Sequence, residues 1–257
     1  MGYYIRVLGI ADPNIHIDEL IKGLSKDGLT AKFDLDPTES PNNWTVIGVA
    51  NSDGEELMQI ERNPVIKGEL GQDELQEFRE DIKEYKPNSA VKWLDKYFDN
   101  IKVIYAFQLL NASMEDKNFE IVGSIKATIW NRLGGLLQAD NEGFSNENGY
   151  HILWQFADNV TGNWSMAVKN ILGQWTNFIM DLGDKKQREE FWAGKVPKAA
   201  TKLCREEKQP PTKVLLQAGQ DVVIFGCGSL SASVSAGQAS LSFCLLSFTF
   251  ISLFVSG

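Results

Sequence analysis

The densest run of chemistry-bearing side chains in the chain is Ala139–His151, where Asp140, Glu142, Glu147 and His151 are interleaved with Asn141, Asn146 and Asn148 and two glycines. Carboxylates and amides at such close spacing can hold a hard cation through oxygen. A carboxylate beside a histidine can also work as a general acid–base pair. The spacing is not that of an EF-hand, because Gly143 comes two positions early and His151 stands where a glutamate would close the loop. Asn and Gly tolerate turns, so the same residues also suit a long, solvent-facing hairpin loop. Asp140, Glu142 and His151 are therefore the catalytic candidates, and no residue set is assigned to a metal.

A second acidic stretch, Asp34-Leu35-Asp36-Pro37-Thr38-Glu39, places Asp34 and Asp36 on alternate positions. In a strand this puts both on one face, expected to be solvated. Seven tryptophans are present, and Trp130, Trp154, Trp164 and Trp175 fall within one stretch of 46 residues. Clustered tryptophans serve as core anchors first and as binding platforms second. Asp34, Asp36, Trp154, Trp164 and Trp175 are the binding candidates. There is no G-x-S-x-G, H-E-x-x-H, C-x-x-C or Walker loop. No cofactor is expected.

These residues need a scaffold, and the apolar pattern outlines one. Tyr3–Ile10 reads as a strand, and Ile17–Lys26 as a helix with Leu20, Ile21 and Leu24 on one side. Alternation over 31–35 marks a strand. Asp53-Gly54 between two apolar runs, 44–50 and 55–62, marks a hairpin. Helices are expected over 71–85 and 90–98, a central strand over 101–110, a helix over 119–133 and a short strand over 136–139. Strands over 150–156, 164–169 and 174–181 and a helix over 184–193 complete the body.

The expected fold is α+β: a mixed or antiparallel sheet with helices on one face. Residues 1–100 and 101–195 repeat the order strand, helix, strands, helix, which allows two similar halves. A basic, proline-containing linker is expected at 196–221, and a charge-free, serine-rich apolar tail at 222–257. Within that tail, 239–255 has twelve apolar residues and five Ser or Thr, at the lower limit of a membrane span. A tail anchor is one reading of that run, and an appendage unrelated to the body is the other. The N-terminal residues carry no signal-like apolar run, so the expected compartment is cytoplasmic, with membrane attachment only through 239–255.

The chain of 257 residues carries 25 Lys+Arg against 34 Asp+Glu, a net charge of −9. The first 183 residues hold 16 basic and 28 acidic side chains. That balance argues against a nucleic-acid partner, whose phosphates need a basic face. Three cysteines make no disulfide framework. With acidic charge, many aromatics and no catalytic motif, the leading expectation is a protein-binding module for a basic partner, of the inhibitor or immunity type. The alternatives are a carboxylate-dependent, metal-assisted hydrolase centred on 139–151 and a tail-anchored cytoplasmic domain.

Overall fold

A computed structural model describes residues 2–170 and 172–203. The tail at 222–257 and most of the expected linker lie outside the described residues. The element order is β1 (Tyr3–Gly9), α1 (Ile17–Lys26), β2 (Lys32–Leu35), β3 (Val46–Ala50), β4 (Glu56–Pro64), α2 (Leu70–Asp81), α3 (Asn88–Tyr97), β5 (Val103–Leu109), α4 (Asp116–Leu133), β6 (Leu136–Ala139), β7 (Gly143–Ser145), β8 (Asn163–Lys169), β9 (Trp175–Asp181), α5 (Lys185–Trp192) and β10 (Thr201–Lys202). The fold is α+β. No helix among the described residues is long and apolar enough to cross a membrane.

Seven strands form an antiparallel sheet in the order β2-β3-β4-β5-β1-β6-β7, and β10-β9-β8 form a second, three-stranded one. β1 and β5 lie side by side at the centre, with Tyr3 opposite Leu109 and Gly9 opposite Val103. β4 flanks β5 and β6 flanks β1. Each central strand is followed by a helix, α1 or α4, and the chain then returns to the far side of the other central strand. These are two split β-α-β units, the ferredoxin-like arrangement, with β2–β3 inserted before β4 and β7 added after β6. The two chain halves thus share a strand–helix–strand order, but they build one sheet together.

Alternation along the strands sends side chains to opposite faces. Ile5 and Val7 of β1 and Tyr105 and Phe107 of β5 meet Leu20 and Leu24 of α1 and Ile121, Ile125 and Ile129 of α4. Leu8, Ile104 and Leu136 face the other way, toward Leu75 of α2 and Leu94 of α3. α1 and α4 cover one face, and α2 and α3 cover part of the other, so helices flank both faces of the sheet where the apolar pattern suggested one. Each large side chain buried here contributes about 1.5–3 kcal/mol. The α1–α4 contact is close at Gly23, where a Cβ would overlap Thr128 Oγ1. Ile21, expected on the apolar face of α1, is 45% exposed, and Ile17 is buried instead.

The expected strand over 150–156 is not one. His151 and Trp154 make only isolated bridges, to Ser145, Met166 and Lys86, while the segment's apolar side chains fill the space beneath the sheet. Apolar character there reflects burial alone. Two strands missed in the sequence, β7 and β10, are three and two residues long, too short to carry a period.

Candidate interaction face and its buried charge network

The 139–149 loop is not the solvated hairpin loop expected. Glu142 is 6% exposed and Asn146 is fully buried, because β7 folds the loop back along β6. Its carboxylates have protein partners. Asp140 accepts from Arg6 Nη1 at 2.6 Å and from the Tyr4 backbone N–H at 3.0 Å. Glu142 Oε1 accepts from the Tyr3 hydroxyl at 2.7 Å. Among the described residues, no group of three or more His, Cys, Asp or Glu side chains is placed to hold a metal ion.

Burial shapes the charge states here. Glu142 is pushed up to about 8 by desolvation, against the pull of the Tyr3 hydroxyl and Lys126. Lys126 on α4 is pushed down to about 8 by the same cause, with Glu142 opposing. The Tyr3 hydroxyl is raised well above its usual value by burial and by Glu142. Arg6 ties three elements together: its Nε donates to Glu74 of α2 at 2.5 Å, and its Nη1 donates to Asp140 and, at 2.8 Å, to Gln138 of β6. Glu74 is nonetheless raised, since burial outweighs Arg6.

His151 does not join this network. Its ring lies 4.7 Å from that of Phe156 and 6.4 Å from that of Trp164. Burial pushes the imidazole down to about 4 against the Leu153 and Glu142 carbonyls, and its Nε2 has no hydrogen-bond partner. Asp140, Glu142 and His151 are thus neighbours in the chain whose polar atoms are directed to different partners. Tyr3, Arg6, Glu74 and Lys126 were missed in the sequence. The available signal was a charged residue set inside an apolar strand (Arg6) or beside an apolar helical stripe (Lys126), where it must find a partner.

The register places a different set together. Asp34 lies opposite Gly48, Gly48 opposite Gln59, Gln59 opposite Gln108, and Gln108 opposite Tyr4. Beside this row run Val46, Glu61, Ala106 and Arg6. Both rows lie on the face that α2 and α3 share, but toward β2 and β3 no described element covers that face. Asp34, Asp36 and Lys32 are exposed, Val46 is 40% exposed, and Gln59, Glu61 and Gln108 are half-buried. Asp36 is held below the usual carboxylate range by the hydroxyl and N–H of Thr38, so it is charged at neutral pH.

The tryptophans divide. Trp154 and Trp164 are buried in a small core with Phe156, Phe178 and Phe191, which keeps their rings from any partner. Trp175 stays half-buried, 4.9 Å from Trp93, with the Lys169 ammonium 4.8 Å from each ring. Two cavities accompany these features. One, of about 530 Å³, opens at the start of β1 and the end of β5 and is lined by Tyr3, Glu56, Gln108, Asn111 and Met114 among others. The other, of about 540 Å³, lies between the start of α3 and the end of α5, beside Lys86, Ser89, Lys169 and Trp192. No family model, curated protein or solved structure matches the chain.

Proposed function

We propose that the protein is an acidic binding module for a basic protein partner, of the inhibitor or immunity type, and that the uncovered face of the seven-stranded sheet receives that partner. The supporting observation is the face itself. A sheet flank left bare by the described helices carries Asp34, Gln59, Glu61 and Gln108, with exposed Asp36 one residue past the end of β2 and with Lys32 and the ion-paired Arg6 as the cations of these rows. Carboxylates and amide oxygens in rows are acceptors for guanidinium and ammonium donors. The net charge of −9 steers a basic partner toward the molecule.

The test is affinity capture from the native source at about 0.05 M and about 0.5 M salt, where screening lengths differ severalfold. A basic protein captured at low salt, released at high salt and lost to the triple variant Asp34→Asn/Asp36→Asn/Glu61→Gln supports the reading. Capture that ignores both salt and the triple variant refutes it.

A further inference from the structure

We infer that the cavity at the start of β1 is an anchor pocket for one arginine or lysine side chain of the basic partner, an inference that rests on the binding-module reading above. The cavity has a volume of about 530 Å³, within the range of roughly 300–1,000 Å³ typical of ligand sites. Glu56 is the one charged side chain in its lining, which also offers the amides of Gln108 and Asn111, the aromatic Tyr3 and the thioether of Met114. Glu56 is exposed, and among the described residues it enters no ion pair. A single carboxylate with amide oxygens and no cation favours a positively charged guest and repels an anionic one.

Two further features fit such a guest. Gln108 belongs both to the cavity and to the row that crosses the open face through Gln59 and Gly48 to Asp34. Gln108 thus links the row to the cavity rim, whereas Tyr3, Ala112 and Met114 of the lining pack toward the α1–α4 side of the sheet. The aromatic wall is also fixed in place. The Tyr3 hydroxyl is held by buried Glu142, which sits beside Lys126 in the charge network, so the ring need not be ordered when a cation docks beside it. This gives the buried pair a positioning role for a wall of the pocket.

The experiment titrates the full chain with an arginine-rich peptide and with a series in which one arginine at a time is replaced by neutral citrulline. The same series is run against Glu56→Gln, against Asp34→Asn/Asp36→Asn and against Glu84→Gln, a charge-matched control on an exposed site away from the cavity. The expected result is one position where citrulline weakens binding about tenfold to the wild-type chain and the control but not to Glu56→Gln, a coupling that isolates the contact. Losses spread evenly over all positions, or a Glu56→Gln chain that binds like wild type while Asp34→Asn/Asp36→Asn weakens, would overturn the anchor pocket and leave the binding-module reading standing. A wild-type chain that binds no peptide of the series would overturn both.

Discussion

Tyr3 and Glu142 stand 139 positions apart in the chain and share a 2.7 Å hydrogen bond. The contact joins the first residues of β1 to the turn between β6 and β7. It orders the end of the sheet where the cavity opens. Because Glu142 is buried, the bond is tied to its protonation, and so to pH.

Glu142 titrates higher in the folded chain than in the unfolded one, at about 8 against a usual 4.5. Between those values the folded state binds the extra proton, so this group's contribution to stability is full below about pH 4.5 and declines as pH rises toward 8, by about 1.4 kcal/mol per pH unit at most. Lys126 titrates lower in the folded chain, at about 8 against 10.5, so its penalty is relieved as pH rises from 8 to 10.5. Denaturant unfolding of Glu142→Gln from pH 5 to 8 is expected to show a flatter profile than wild type. Parallel profiles would mean that Glu142 is ionised throughout.

His151 has the opposite slope. Its folded value of about 4 lies below the usual 6.5, so its contribution is full above pH 6.5 and is lost as pH falls through 4. The loss amounts to about 3 kcal/mol. His151→Phe keeps an aromatic ring beside Phe156 and removes the titration, and the stability difference between pH 7 and pH 4 is expected to shrink by that amount. An unchanged difference would show that the imidazole charges within the fold.

Arg6 is the hub between β1, β6 and α2, with side-chain exposure of 14%. Arg6→Met strands Glu74 and Asp140 in a half-buried site and is expected to cost about 2–4 kcal/mol in chemical unfolding. Arg6→Lys keeps the charge but not the planar fork that reaches Glu74, Asp140 and Gln138 at once, so an intermediate loss is expected. Equal losses for the two variants would show that geometry, not charge, sets the value.

Gly23 tests the packing of α1 on α4. Gly23→Ala is expected to destabilise by about 1–3 kcal/mol, since the new methyl meets Thr128 Oγ1. Thr128→Ala in the same chain removes the obstacle, and the gain of up to about 1 kcal/mol from replacing a helical glycine then appears. The double variant should therefore melt at or above the wild-type temperature. A double variant as weak as Gly23→Ala would place the clash elsewhere.

Much of the fold was legible because local chemistry agreed with it. α1 occupies its expected span, since Ile17, Leu20 and Leu24 carry a helical period. The β3–β4 hairpin turns over residues 51–54, where the Gly54 N–H donates to the Asn51 carbonyl and Gly54 takes φ +92°, a value glycine adopts at little cost. The site was less legible. Asp34 lies opposite Gly48 on the face that strand alternation implies, while Asp36 is exposed one residue past the end of β2. The fate of Asp140 and Glu142 depends on Arg6 and Tyr3, more than 130 residues away, and no periodicity reports a partner at that distance. The run 150–156 shows the same limit from the other side, where an apolar stretch is buried without pairing as a strand. Trp154 and Trp164, read as platform candidates, are core residues because their rings face Phe156 and Phe191 rather than solvent.

The most direct measurement is hydrogen exchange on the full chain, alone and with its captured basic partner. The account predicts slowed exchange confined to β2, β3, β4 and residues 108–111, the open face and the cavity beside it. Protection confined instead to the cleft between α3 and α5, with β2–β4 unchanged, would contradict it.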